Sequence, residues 1–211
     1  MVADELRLRE QICEVGRIMW TKGMVASNDG NLSVRLDADR VLCTPTGVSK
    51  GFMTPEMLAV VDLAGTPVPG CEARPSSEIR MHLRVYKEDE GVQAVVHAHP
   101  VHATLLAARG KGLVNRMLPE VVVGMGEVPL APYATPSTAA VADSVAPFVR
   151  RGVACLLENH GALTWGPDLM SAYFHMERLE HCAHIDWAMS LVGGGNDLPD
   201  EEIARLQAMR G

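Results

Sequence analysis

The sequence contains no run of lysine or arginine, and 26 acidic residues against 19 basic ones give a net charge of −7. A broad basic surface of the kind that holds nucleic acid is therefore not expected. No apolar stretch has the length of a membrane span. The charged N-terminal segment also lacks the apolar core of a secretion signal. These absences predict a cytoplasmic protein without nucleic-acid or membrane partners.

The five cysteines are scattered along the chain and include no Cys-x-x-Cys pair. This pattern argues against a zinc site made of thiolates and favours a reducing compartment. What the sequence has in quantity is apolar residues, which make up 47% of 211 positions. That is enough for a sizeable core. Because we find no internal repeat and no domain boundary, we expect a single domain over residues 1–211.

The most informative stretch is residues 92–108, VQAVVHAHPVHATLLAA. Four of its first five residues are apolar and three of these are β-branched valines, which predicts a buried strand, and residues 101–108 predict a helix. Because side chains two apart in a strand share a face, we expect His97 and His99 side by side at the end of this strand. Two imidazoles on a rigid strand make half of a divalent-metal site, although two hydrogen-bonded structural histidines have the same pattern.

Two further residues can complete such a site. His160 follows a second apolar strand, predicted over residues 153–157, and directly precedes a glycine. Glu78 lies in the first turn of a helix predicted over residues 74–87, for which one of the two preceding serines is the expected N-cap. Three imidazoles with one carboxylate or water suit Zn²⁺, Mn²⁺ or Co²⁺.

Other residues compete for these roles. Glu158 lies two residues before the third histidine and is the strongest rival carboxylate. Glu177, His181 and His184 share one face of the longest predicted helix, a pattern that is more often a polar seam between helices than a metal site. His102 follows the histidine strand closely and is a candidate to support the ligands from behind.

The remaining sequence predicts strands and helices in alternation. Further helices are predicted over residues 4–22, from Ser137 as N-cap to about Arg150, from Asp168 as N-cap to Leu191, and over residues 198–210. A hairpin is predicted over residues 32–45 and a short strand over residues 59–62, while residues 111–137 predict several short strands between turns. Hairpins among helices indicate a mixed or mostly antiparallel sheet with helices around it.

Five ordered segments resemble the class II aldolase/adducin family. They are SNDGNLSVR, TPTGVSKGFMTPEMLAVVDL, RPSSEIRMHLRVYK, AVVHAHPVHATLLA and LLENHGALTWG. The resemblance covers about residues 6–190. It implies a three-layer α/β/α fold around a mixed, mostly antiparallel sheet, and a homotetramer with active sites at subunit interfaces. It also implies one divalent metal, Zn, Mn or Co, per subunit.

The resemblance assigns roles residue by residue. His97, His99 and His160 match the metal ligands, and Glu78 matches the glutamate that ligates the metal at rest and then acts as acid or base. The residues that match three phosphate-binding loops are Asn28, Gly30 and Asn31; Thr46 and Gly47; and Ser76 and Ser77. Hydroxyls, exposed amides and a helix N-terminus suit a phosphate dianion, although three ordinary polar turns have the same composition.

Departures from the family pattern bear on the activity. The family tyrosine that precedes the APYAT segment is absent, and Glu120 is the nearest candidate for its proton-transfer role. Phosphopentulose 4-epimerases of the family show aspartate in place of Glu78. Phosphorylated-tetronate decarboxylases show lysine in place of Ser77. At both positions this sequence has the aldolase pattern.

The resemblance therefore predicts a metal-dependent aldolase that cleaves a ketose 1-phosphate into dihydroxyacetone phosphate and an aldehyde. The candidate substrates are the 1-phosphates of 5-deoxyribulose, 5-methylthioribulose and fuculose, and the apolar residues 117–125 favour an apolar substrate end. Decarboxylation of a sugar-acid phosphate and 4-epimerisation of a pentulose phosphate are the alternatives. Methylthioribulose-phosphate dehydration and a non-catalytic adducin-like module rank below them, and such modules lack the three histidines.

Overall fold

The computed structural model of the chain describes residues 2–209. Within them the strands are β1 (Asn31–Arg35), β2 (Arg40–Cys43), β3 (Ala59–Asp62), β4 (Ala94–Ala98), β5 (Leu130–Ala131), β6 (Ala154–Leu157) and β7 (Gly161–Gly166). The α-helices are α1 (Val2–Thr21), α2 (Ile79–Glu88), α3 (Val101–Ala108), α4 (Pro119–Gly124), α5 (Ala139–Val145), α6 (Leu169–Leu191) and α7 (Asp200–Ala208). The strands form one sheet in the order β3-β2-β1-β4-β7-β6-β5, and all neighbours are antiparallel except β5 and β6.

Helices cover both faces of this sheet. Helices α1, α3, α4 and α6 pack on one face, and α2 and α5 pack on the other. Strand β4 shows how the sequence divides between them, since Val96 and Ala98 belong to the first core and Val95 to the second. Alternate burial on two faces is what a central strand between helical layers requires. The three-layer α/β/α fold with a mixed, mostly antiparallel sheet is confirmed.

Most of the predicted elements are present. Helix α1, the β1–β2 hairpin, strand β4 and helix α3 lie where the sequence predicts them. Helix α6 begins after Asp168, whose carboxylate accepts the Ser171 backbone N–H at 2.8 Å. The terminal helix is α7, and residue 210 of the predicted span lies outside the described residues. No helix among residues 2–209 is both long and apolar enough to cross a membrane.

Residues 111–137 differ from the prediction of several short strands. They contain helix α4, the two-residue strand β5 and an isolated bridge. Pro119 stands at the start of α4, and just before it the Asn115 carboxamide accepts the N–H groups of Met117 and Leu118 at 3.0 Å. Burial of this turn in the core outweighs the strand preference of its three consecutive valines.

The predicted N-cap of α2 is wrong. The helix begins at Ile79 with Glu78 in the N-cap position, and no side chain caps it. The Ser76 hydroxyl instead accepts the Glu78 N–H at 3.3 Å, and the Ser76 carbonyl accepts the Ile79 N–H at 3.1 Å. These bonds close a turn ahead of α2, and this turn places Glu78 at the N-terminus of the helix.

The helix predicted from Ser137 to Arg150 is also divided differently. Thr138 is the N-cap residue of α5, while Ser137 has a backbone φ of +65° and donates its hydroxyl to Ser77 Oγ at 2.8 Å. After α5 the chain continues as a 3₁₀ helix over Ala146–Arg151. Pro147 lacks the N–H that an α-helix needs at this point, so the wider helix ends here.

Candidate metal and substrate site

Three histidine rings meet at one end of the central strands. His97 is in β4, His99 directly follows that strand, and His160 lies in the turn between β6 and β7. Strand β7 pairs with β4, with Ala162 opposite Ala98, and this pairing carries the turn to the histidine strand. One nitrogen of each ring lies within 4.8 Å of the others.

The β6–β7 turn has a backbone adapted to this position. Asn159 has a φ of +56°, in the left-handed region that asparagine tolerates better than most residues. A Cβ at Gly161 would lie 2.6 Å from the Ala98 carbonyl oxygen and 2.6 Å from Cδ2 of His99. Glycine therefore allows β7 to begin directly against the ring of His99.

Polar groups orient the imidazoles. Nδ1 of His97 donates to the Ala162 carbonyl at 2.9 Å, so Nε2 of the neutral ring carries the lone pair. Nε2 of His99 lies 3.1 Å from Nε2 of His97, and Nδ1 of His99 lies 3.6 Å from a carboxylate oxygen of Asp29. A carbonyl or carboxylate on the far side of the ring is the arrangement that sets the tautomer of a metal-ligating histidine.

The Glu78 carboxylate faces these rings from the N-terminus of α2. Its Oε1 lies 3.2 Å from Nε2 of His160, its Oε2 lies 3.4 Å from Nε2 of His97, and the Asn31 amide donates to Oε2 at 2.9 Å. Burial opposes ionisation of this carboxyl. The hydrogen bond from His160, electrostatic attraction to the His97 and His160 imidazoles and the bond from Asn31 outweigh burial and hold the pKa of Glu78 well below its usual range.

The donor set fits a divalent metal. Burial lowers the pKa of His97 and of His99, and the neutral imidazole is the form that ligates. The 3.1 Å between their Nε2 atoms is close to the separation of about 3.3 Å for two nitrogens on one tetrahedral zinc. Among the described His, Cys, Asp and Glu residues, His97, His99 and His160 form the one group close enough to hold an ion.

Two carboxylates considered for the chemistry lie elsewhere in the chain. Glu158 accepts the backbone N–H of Tyr133 at 2.9 Å, beyond the end of β5. Glu120 is exposed in the first turn of α4. Burial of the Cys182 thiol on α6 raises its pKa, and the charge of Glu120 adds to this shift. Glu120 makes no ion pair with the histidines within the described chain, so its proton-transfer role stays a prediction in which a second subunit brings it to the site.

Polar residues of α6 contact α3 and the residue that follows α1. His102 does not support the histidine ligands from behind: its Nδ1 lies 2.8 Å from Glu180 Oε1, and its ring stacks on His184 with centroids 3.9 Å apart. Glu177 accepts a hydrogen bond from Lys22 at 2.6 Å. This set therefore forms the polar seam that its helical spacing suggests.

The second and third predicted phosphate loops are joined by backbone hydrogen bonds. Thr46 donates its N–H to the Arg74 carbonyl at 3.0 Å, and Ser76 donates its N–H to the Thr44 carbonyl at 3.1 Å. Gly47 is exposed, with a φ of +74° that favours glycine. Both loops thus reach the N-terminus of α2 beside Glu78.

The first predicted phosphate loop runs into β1 next to the histidines. Asn28 is exposed, and Gly30 has a φ of +75° with a Cβ position only 3.0 Å from the His97 carbonyl oxygen. The Asn31 side chain is buried and donates to Glu78. The structure therefore gives Asn31 a partner inside the cluster, while the phosphate contacts of all these loops stay predictions.

Two residues at the site were missed by sequence reasoning. Asp29 lies behind His99, and Lys50 is buried between the first and second loops, where it donates to the carbonyls of Asn28 and Val48. Their only signal in the sequence is membership of the polar segments SNDGN and TPTGVSK.

Comparison with known proteins identifies the family. Residues 10–187 match the family described as Class II Aldolase and Adducin N-terminal domain. The 3-oxo-tetronate 4-phosphate decarboxylase of Haemophilus influenzae is 34% identical over 185 residues, covering 86% of this chain and 87% of the relative. The L-fuculose phosphate aldolase of Methanococcus maripaludis is 31% identical over 180 residues, covering 85% and 96%. A solved structure of L-fuculose 1-phosphate aldolase has a TM-score of 0.86 at 30% identity, covering 95% of this chain and 94% of that chain. The chain belongs to the class II aldolase/adducin family.

Proposed function

We propose that this protein is a metal-dependent lyase that breaks a carbon–carbon bond of a phosphorylated sugar or sugar acid. The observation that carries the proposal is the cluster of three imidazoles and Glu78 beside three polar loops. His97, His99 and His160 would hold the metal. When bound, that metal supplies a Lewis acid for the substrate carbonyl.

Glu78 is the group that moves a proton. In the structure its contacts with the imidazoles and with Asn31 favour the ionised carboxylate. A substrate that separates the carboxylate from the imidazoles removes those contacts while burial remains, so the pKa of Glu78 rises. The acid formed in this way can protonate the carbon beside the carbonyl, and Asn31 keeps the carboxyl group oriented.

The three loops bind the phosphate. Ser76 and Ser77 supply hydroxyls directly before α2, Gly47 supplies an accessible amide, and the N-terminus of α2 favours negative charge. The substrate is therefore held by its phosphate at a fixed distance from Glu78.

We place decarboxylation first among the finer activities. Two relatives named as decarboxylases are each 34% identical to this chain, against 31% for the L-fuculose phosphate aldolase. They support this alternative better than the aldol cleavage that sequence reasoning ranked first. In this reaction the carboxylate leaves as carbon dioxide, and Glu78 protonates the carbon left behind. A 3-oxo-tetronate 4-phosphate is the substrate class named for these relatives.

Aldol cleavage of a ketose 1-phosphate is the second candidate. Ser77 favours it, because the family resemblance places lysine at this position in the decarboxylases. Aldol cleavage also needs a base for the C4 hydroxyl, and Glu120 of a neighbouring subunit is the proposed group. The apolar substrate end stays a prediction. Val121 and Met125 are 2% and 1% exposed and fill the core, which leaves Met117, Leu118 and Val123 as the partly exposed apolar residues of this segment.

The test is a substrate comparison with metal-loaded protein. Carbon dioxide release is measured from a 3-oxo-tetronate 4-phosphate, and triose-phosphate release is measured from ribulose, 5-deoxyribulose, methylthioribulose and fuculose 1-phosphates. We expect the highest kcat/KM for carbon dioxide release. Faster triose-phosphate release from any ketose would move aldol cleavage to first place, and no cleavage of any compound by metal-bound protein would overturn the lyase proposal.

We further propose a homotetramer, on the family resemblance. Light scattering of the purified protein measures its mass directly. A monomer with full activity would remove both the tetramer and the interface role of Glu120.

A further inference from the structure

Lys50 is a buried lysine without a carboxylate partner among the described residues. The residue is 1% exposed, and its Nζ donates to the carbonyl oxygens of Asn28 at 3.0 Å and Val48 at 2.5 Å. Removing an ammonium group from water is costly unless charge or function compensates it. Two carbonyl dipoles and the nearby charge of Asp29 compensate this cost only in part, so the position of this cation calls for an explanation.

The two carbonyls belong to different predicted phosphate loops. Asn28 lies in the loop before β1, which also carries Gly30, and Val48 follows Gly47 in the loop after β2. One side chain therefore joins both loops through their backbones. Because the third loop is bonded to the second, all three loops depend on one connected set of hydrogen bonds.

Packing on α1 fixes the backbone of Lys50. A Cβ at Gly16 of α1 would lie 3.0 Å from the Lys50 carbonyl oxygen, and a Cβ at Gly51 would lie 2.6 Å from the ring of Trp20. Trp20 also makes an edge contact with Phe52, with ring centroids 5.3 Å apart. The 3₁₀ turn Lys50–Phe52 thus packs closely against α1. This packing fixes the Lys50 backbone, so the ammonium group is held in a defined position between the two loops.

We propose that Lys50 is a positioning residue for the phosphate dianion of the substrate. It holds two phosphate-binding loops in place and supplies a buried positive charge. The N–H groups of Gly47 and Val48 donate to no other described residue, so they are available to an anion. The Val48 carbonyl is held by Lys50, which limits the rotation of this loop. The proposal rests on the proposed function, because it takes a phosphorylated substrate as the occupant.

The protonation equilibrium of Lys50 agrees with this role. Burial lowers the pKa of Lys50 to about 8, and the charge of Asp29 opposes the shift. A phosphate dianion nearby favours the charged form and so raises the pKa. By linkage, the same interaction strengthens phosphate binding while Lys50 is protonated.

The first experiment compares Lys50→Met, which keeps the length of the side chain without its charge, with Lys50→Arg and with Lys87→Met. Lys87 is an exposed lysine of α2 outside the proposed site and serves as the matched control. We expect Lys50→Met to raise KM for the phosphorylated substrate at least roughly tenfold, with kcat within about threefold and metal content unchanged. Lys50→Arg should recover part of the loss, and Lys87→Met should resemble wild type.

The dephosphorylated substrate separates this role from a general structural one. Lys50→Met should leave kcat/KM for that compound within about threefold of wild type. An unchanged KM for the phosphorylated substrate, or equal losses on both substrates, would overturn the proposal for Lys50. Either result would leave the lyase activity of the wild type intact, so the two proposals fail separately.

A second measurement uses the wild-type protein and needs no turnover. The chain has lysines at positions 22, 50, 87 and 111 only, so their side-chain NMR signals can be followed one by one in the wild-type protein. We expect one lysine to titrate near pH 8 and its pKa to rise when inorganic phosphate is added. A titration that phosphate does not move would overturn the proposal, whatever substrate the enzyme takes.

Discussion

Replacing Glu78 with glutamine tests the centre of the proposed chemistry. Glutamine keeps the shape of the side chain, and its remaining oxygen can still accept the Asn31 N–H that lies 2.9 Å away in the wild type. The variant cannot exchange a proton, so kcat should fall by about a hundredfold or more, the usual loss for a general acid or base. A hundredfold corresponds to about 2.7 kcal/mol of transition-state free energy.

The same variant should keep its metal, because the three histidines remain. It should also change how the free energy of unfolding depends on pH under acidic conditions. A carboxyl whose pKa is lowered by folding stabilises the protein above its unfolded pKa, and this stabilisation is lost as the pH falls towards the folded pKa. Between about pH 5 and pH 3 the wild type should therefore lose more free energy of unfolding than Glu78→Gln.

Steady-state kinetics with parallel metal analysis is the assay, and Glu158→Gln is the control. Glu158 is close to His160 in sequence but bonds to the Tyr133 backbone, so its loss should change turnover by less than about threefold. If Glu158→Gln were crippling and Glu78→Gln mild, the wrong carboxylate would have been assigned. Wild-type turnover in Glu78→Gln would show that the proton does not pass through this residue.

Three other measurements address the metal, the turn and the phosphate loops. Elemental analysis should find about one Zn, Mn or Co per chain, and full turnover after complete chelation would contradict the metal assignment. Gly161→Ala should lower metal content and turnover together, because its Cβ would lie 2.6 Å from the ring of His99. Gly152→Ala is the control: its Cβ would meet nothing within 4 Å, so metal content and turnover should stay at the wild-type level. Ser76→Ala and Ser77→Ala should each raise KM for the phosphorylated substrate roughly tenfold, the effect of losing one charge-assisted hydrogen bond, and equal rates on free and phosphorylated substrate would refute their role.

The elements that the sequence predicts well are those whose local pattern and final environment agree. The run before His97 is apolar and β-branched, and β4 is buried on both faces. Strand β7 was not predicted, because GALTWG has a glycine at each end and no alternation of polar residues. Its neighbours β4 and β6 impose the extended form by pairing on both sides. Tertiary context decides such segments.

The residues of the site could likewise be predicted from the sequence only in part. Spacing alone places His97 beside His99. The ends of predicted elements offer His160 and Glu78 as further ligands, but no local rule joins segments so far apart, and the family resemblance is what assigns these two residues their roles. The contribution of Lys50 could not be predicted, because a lysine in a polar loop is ordinarily solvated. Its burial arises from the meeting of two loops with α1, which is a property of the assembled fold.

The position of β4 between β1 and β7 has a consequence for how this protein matures. Both neighbours pair through long connections, so the His97 and His160 nitrogens approach each other only after non-local pairing is complete. A nascent chain that has not yet delivered β7 holds two of the three imidazoles and binds the ion weakly. On the proposed function, tight metal binding would therefore need a finished sheet, and its free energy would stabilise the folded state alone. Metal supplied during synthesis should accordingly protect the chain from proteolysis only after β7 has paired with β4.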